Sequence, residues 1–189
     1  LRAGIDVAAG QLSKEGHRSA AEAIMTTDLE PKEFGIEVTT AQGNFRVGGM
    51  AKGAGMIEPN MATMLAFLTT DARIESAKLN QALRDSAADT FNAITVDGEC
   101  STNDSVFALA SGQSTVVIDD DSYPIFVEAF RTVSRQLALD IVRGGEGATK
   151  IVSITAAGAR TEDDARRVAR VLANSLLVKT APVSYTHLR

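Results

Sequence analysis

The chain has 189 residues, 44% hydrophobic and 23% charged, enough for one packed domain or a large piece of one and too apolar for a disordered segment. Nineteen Lys and Arg against 24 Asp and Glu leave a net charge of −5, which excludes a global basic footprint for nucleic acid. The longest apolar runs, such as residues 64–68, are too short to cross a bilayer, so no membrane partner is expected. Cys100 is the one cysteine, which excludes an internal disulfide and fits a reducing, cytoplasmic setting. The two histidines, His17 and His187, stand too far apart for a His-rich metal site, and the 5% aromatic content without Trp gives no stacking platform for bases.

In chain order, residues 1–10 read as the middle of a longer sequence, since Leu1 is no initiator, and the chain is expected to be a fragment incomplete at both ends. Residues 19–24 are Ala-rich and predict a short helix, closed by Pro31. Residues 36–40 alternate apolar and polar, Gln42-Gly43-Asn44 turns, and Phe45 and Val47 alternate again, a hairpin signal. A glycine-rich stretch, 48–55, reads as a turn before the short apolar strand 64–70. A helix is predicted over 75–96, with Leu79, Leu83, Ala87, Phe91 and Ile94 as its buried stripe. Strands follow at 106–110 and 115–118. A second helix starts at Ser122, whose hydroxyl suits a cap, with Pro124 in the first turn. Phe126, Phe130, Val133, Leu137 and Ile141 form its buried face, and Gly144 and Gly145 stop it. A strand is predicted over 150–156, then a helix opening on Thr161 and three acidic residues, with Val168, Val171 and Leu172 facing inward. Alternating helices and short strands make the class α/β or α+β in layers.

The segment 52–67, KGAGMIEPNMATMLAF, carries the chemistry. From spacing alone it is a glycine-rich turn before a core strand, with Thr63 chosen for β-propensity. The alternative is a nucleophile at a self-cleaving junction. A hydroxyl needs an adjacent base, and breaking the Ala62–Thr63 bond would give Thr63 a free α-amine with a pKa of about 7.7–8.0. Asp97, Asn103 and Asp104 form a polar loop that reads as a turn bonding its own backbone rather than as a metal site. Asp119, Asp120 and Asp121 read as solvated surface. The run Gly144-Gly145-Glu146-Gly147 fails the spacing of a phosphate loop.

This segment closely resembles the processing junction of the ornithine acetyltransferase family, the bifunctional glutamate N-acetyltransferases and ornithine acetyltransferases of arginine biosynthesis. Four further stretches resemble that family in the same order: AIMTTDLEPK (23–32), DGECSTNDS (97–105), GGEGATK (144–150) and NSLLVKTA (174–181). The resemblance implies a layered αββα sandwich with helices outside two central sheets. It implies cleavage between Ala62 and Thr63, so that residues 1–62 end a first chain and 63–181 begin a second, and Thr63 becomes the acetyl-accepting nucleophile. It places Thr26, Lys52, Thr63 and Glu146 in contact with substrate. It implies acetyl transfer from N2-acetylornithine to glutamate, with acetyl-CoA as a further donor in some members, no metal or bound cofactor, and a heterotetramer of two of each cleaved chain. Residues 182–189 depart from the family pattern and are expected to be a non-native tail. The family's Thr-Gly oxyanion pair and its C-terminal Asn and Ser/Thr contacts have no match in the chain. Two rival readings remain: a related N-terminal-nucleophile aminopeptidase, which usually carries Ser where Thr63 stands, and an inactive truncated product.

Overall fold

The structure, a computed structural model, describes residues 1–58, 64–99 and 101–184, with side chains to residue 182. Two helices open the chain, α1 (Arg2–Gly10) and α2 (His17–Ala23). Strands β1 (Lys32–Thr40) and β2 (Gly43–Lys52) form an antiparallel hairpin in which Thr40 faces Gly43, so Ala41 and Gln42 make the turn. Gly43 takes φ of +122°, a value L side chains avoid. Strand β3 (Leu65–Thr70) pairs antiparallel with β2. Helix α3 (Ser76–Ala88) then carries the chain over to β4 (Ser105–Ala110), which pairs parallel with β3, giving the order β1-β2-β3-β4. Helices α4 (Tyr123–Arg143), α5 (Glu162–Asn174) and α6 (Leu176–Ser184) follow.

Alternation along the strands puts Phe45, Val47, Ala51, Ala66 and Leu68 on one face, all buried, under α4. The predicted stripe of α4 is the buried one: Phe126, Phe130, Val133, Leu137 and Ile141 are each fully buried. Phe126 packs with its ring tilted against Phe130, centroids 4.8 Å apart, and against Phe45 at 5.9 Å. The glycine-rich stretch is largely strand rather than turn. A Cβ on Gly49 would stand 2.8 Å from Leu68 Cδ2 and 3.0 Å from Leu137 Cδ1, so a side chain there would push the helix off the sheet.

Several expectations are corrected. The helix over 75–96 stops at Ala88; the Thr90 hydroxyl donates to the Ser86 carbonyl at 2.6 Å, and a 3-10 turn, Phe91–Ala93, keeps Phe91 buried. Residues 115–118 alternate as predicted, with Val116 and Ile118 buried, but pair only through a single bridge from Val117 to Arg73. Residues 150–156 form no strand: Ile151 and Val152 lie open to solvent with no paired neighbour among the described residues. The Thr161 hydroxyl caps α5 by accepting the Asp164 N–H at 3.1 Å, yet Val168, Val171 and Leu172 face outward, 51%, 70% and 42% exposed. α5 is held instead through polar contacts, Arg166 to Asp89 and Arg170 to the carbonyls of Asn92 and Ile94. Ser122 does not cap α4 through its side chain; its hydroxyl donates to Asp119 Oδ1 at 2.6 Å, and the same carboxylate takes the Ser122 N–H, so Asp119 is exposed as expected and also ties down the start of α4.

The mixed α/β class is the one expected. Of the two central sheets of an αββα sandwich, the described residues form one, covered by helices on one face. The other face is open and carries Phe67 and Phe107, stacked with centroids 5.3 Å apart. Among the described residues no helix is long and apolar enough to cross a membrane.

Candidate active site

The predicted nucleophile Thr63 and its neighbour Ala62 lie outside the described residues, as does Cys100. Both flanks of that segment are described, and the remaining predicted residues gather at the near one.

On the near flank, β2 ends at Lys52 and the chain continues into the loop 53–58, where Gly53 takes φ of +149° and Met56 φ of +54°. Lys52 is only 4% exposed. Its Nζ donates to the Thr26 hydroxyl at 3.3 Å, which joins two of the predicted substrate residues. Lys52 makes no ion pair among the described residues, and the Asp28 carboxylate serves other donors. Asp28 Oδ1 accepts from Lys32 Nζ at 2.5 Å and from the Gly53 N–H at 2.7 Å, and Oδ2 accepts from the Thr26 N–H at 3.2 Å. Burial pushes the Asp28 carboxyl up, but the Lys32 ammonium and the two amide donors outweigh it and hold the carboxyl below its usual value. Lys32 is thus paired with Asp28, while Lys52 faces the Thr26 hydroxyl and its charge is felt by the Asp104 carboxyl.

Two more groups pin the loop. The Glu146 N–H donates to the Ala54 carbonyl at 2.7 Å, and its side-chain carboxyl lies against Gly55, where a Cβ would stand 2.9 Å from Glu146 Cδ. Glu146 therefore reaches the same loop as Lys52 from another side, its side chain exposed, without a hydrogen bond to Lys52 or Thr26 among the described residues. The glycines before it let α4 end in close quarters: a Cβ on Gly145 would sit 2.9 Å from Val96 Cγ1. Asp97 accepts from the Met56 and Ile57 N–H groups at 2.6 and 2.9 Å, and Val96 N–H donates to the Ile57 carbonyl at 2.6 Å. The expected local turn at Asp97 is real, through the Glu99 N–H at 3.1 Å, but its larger task is this long-range clasp.

On the far flank, Asp104 Oδ1 accepts the Met64 N–H, and the Ser105 N–H donates to the Met64 carbonyl at 3.0 Å. The residue after Thr63 is thus gripped on both its backbone groups. Asp28, Lys32, Asp97 and Asp104 were not singled out as site residues by the sequence. A signal existed for Asp28, Asp97 and Asp104, since each lies in a stretch that carries the family resemblance; Lys32 closes one.

The fold and these contacts define a mixed α/β protein built round one pinned glycine-containing loop. The chain belongs to the ArgJ family, whose model matches residues 1–185. It is 48% identical, over 96% of its length, to the arginine biosynthesis bifunctional protein ArgJ of Symbiobacterium thermophilum, covering 46% of that protein. It is 51% identical, over 90% of its length, to the glutamate N-acetyltransferase of Methanocaldococcus jannaschii, covering 43% of it. The crystal structure of the arginine biosynthesis bifunctional protein ArgJ from Bacillus halodurans matches with a TM-score of 0.60 and 42% identity, over 63% of this chain and 57% of that one. The chain spans about half the length of the curated relatives it matches.

Proposed function

We propose that the whole protein is an acetyltransferase of arginine biosynthesis that moves acetyl from N2-acetylornithine to glutamate through an ester on Thr63, after cleavage of the Ala62–Thr63 bond. The observation that carries the reading is Lys52: a buried ammonium beside a threonine hydroxyl, in no ion pair among the described residues, at the foot of the loop that leads to Thr63. Burying a charge without a partner is costly, so such a group is kept where an anion arrives. Both substrates bring a carboxylate.

In the first half-reaction the Thr63 hydroxyl attacks the acetyl carbonyl of N2-acetylornithine. The Thr63 α-amine takes the hydroxyl proton and returns it to the leaving nitrogen; the amide C–N bond breaks and ornithine departs from acetyl-Thr63. In the second, the glutamate amine attacks the ester, and N-acetylglutamate leaves as the hydroxyl is restored. Acetyl-CoA, the further donor that the resemblance implies for some members, would acylate the same hydroxyl. The scheme calls for no metal or bound cofactor, and the assembly is a heterotetramer of two of each cleaved chain, in the cytoplasm.

A covalent intermediate requires ping-pong kinetics. Double-reciprocal plots for acetylornithine at several glutamate concentrations should run parallel; intersecting lines would reject the ester.

Lys52 and Glu146 should separate by half-reaction. Lys52→Ala should slow both, by roughly ten- to a hundred-fold each, the worth of one charge-assisted hydrogen bond. Glu146→Gln should slow acetylation by acetylornithine more than deacetylation by glutamate, because acetylornithine carries a side-chain ammonium and glutamate does not. Rates measured for each half alone decide this, and equal losses for Glu146→Gln would move its partner to the shared α-nitrogen.

A further inference from the structure

The scheme above uses no carboxylate on the far flank, yet one is placed there. Asp104 is half-buried just before β4. One oxygen, Oδ1, accepts the Met64 N–H. The other, Oδ2, is shut off from solvent and has no hydrogen-bond partner among the described residues. A carboxylate oxygen in that state is costly unless something donates to it during the protein's working cycle. Burial accordingly pushes the Asp104 carboxyl above its usual value, against the Met64 N–H and the charge of Lys52, which pull it down. Ser105, the next residue, holds the Met64 carbonyl at 3.0 Å, so the start of β3 cannot swing away from this carboxylate.

We propose that Asp104 is a positioning residue for the nucleophile: Oδ1 anchors the chain at Met64, and Oδ2 accepts a hydrogen bond from the α-amino group that cleavage creates on Thr63. The proposal rests on the reading of Thr63 as nucleophile. Three covalent bonds separate the Thr63 nitrogen from the Met64 nitrogen, so the two lie within about 4.3 Å of each other whatever the conformation. A group that grips the second can therefore reach the first. An amine has one lone pair, and donating an N–H to a fixed oxygen sets where that lone pair points. That direction is what an amine needs if it is to take the proton of its own residue's hydroxyl.

The test uses the whole protein and acetylornithine alone as donor. Asp104→Asn keeps an oxygen for the Met64 N–H and replaces the second oxygen by an NH2 group, which donates and cannot accept. The time course of acetyl gain on the Thr63 chain is followed by rapid quench and intact mass. The maximal rate constant should fall roughly 10- to 100-fold, as for a misdirected catalytic group, while the half-saturating donor concentration stays as in the wild type. A merely structural role would lower the fraction of protein that reacts and leave the rate constant unchanged, and that result would overturn the proposal. If Asp104→Asn does not cleave, the same rate constant is read on Asp104→Glu, which keeps the charge and displaces it by one methylene, with the same two outcomes. Thr63→Ala is run beside them. If it neither cleaves nor takes up acetyl while Asp104→Asn matches the wild type, only the role of Asp104 falls; if Thr63→Ala still takes up acetyl, the reading of Thr63 falls with it.

Discussion

Thr63→Ala in the whole protein is expected to leave one uncleaved chain, with acetyl transfer reduced by roughly four to six orders of magnitude, the scale seen when a nucleophile is removed from a covalent mechanism. Alanine removes the hydroxyl that would become the ester, and an uncleaved bond leaves no α-amine to serve as its base. Thr63→Ser keeps both groups and should retain cleavage and measurable transfer. Electrophoresis under denaturing conditions reads the first point and an acetylornithine–glutamate exchange assay the second. An alanine variant that still splits into two chains would remove Thr63 from the cleavage chemistry.

Asp28→Ala is expected to be the most damaging substitution that touches no substrate. It leaves Lys32, 5% exposed, as an unpaired buried ammonium and strips the Gly53 and Thr26 amides of their acceptor. Breaking a buried ion pair by removing one partner costs about 3–5 kcal/mol. The loss should appear in denaturant unfolding and should also release Thr26 and Gly53, the residues that flank Lys52 in space. The pH dependence follows from the depressed carboxyl. A group whose folded pKa lies below its unfolded value stabilises fully above the unfolded value, 3.8, and loses that contribution as the pH falls through the lower folded value. Wild-type stability should therefore drop on acidification below pH 4 more steeply than that of Asp28→Asn. Parallel curves for the two would show that Asp28 is not held ionised by its neighbours.

Much of this arrangement was legible in the sequence where one segment's pattern decides its own structure. The hairpin of β1 and β2 and the buried stripe of α4 follow from periodicity, because each buries one face against a core the chain itself provides. Residues 150–156 and the apolar positions of α5 have patterns just as clear, yet Ile151 and Val171 stand in solvent. Periodicity says that a face is apolar and not what will cover it, and among the described residues nothing does. Gly49 was misread because a glycine-rich run signals a turn, whereas here the missing Cβ makes room for Leu137.

The site divides in the same way. Thr26, Lys52 and Glu146 came from motif resemblance, and the structure brings them to one loop. The carboxylates that build the loop were out of reach of spacing arguments. Asp28 bonds the Gly53 amide 25 positions on, and Asp97 bonds the Ile57 amide 40 positions back. An acidic side chain that serves a distant backbone N–H has the same local signature as one that serves its own turn, so Asp97 read as a local turn residue and Asp28 went unremarked.

The central claim, that Thr63 carries acetyl between the substrates, meets its most direct test in a single mass measurement. The whole, cleaved protein is mixed with N2-acetylornithine and no acceptor, quenched in acid, and the chain that begins at Thr63 is weighed and fragmented. The expected result is a gain of one acetyl group, located on the Thr63 hydroxyl and lost again when glutamate is added before the quench. No gain in mass on that chain, with ornithine released only when glutamate is present, would contradict it.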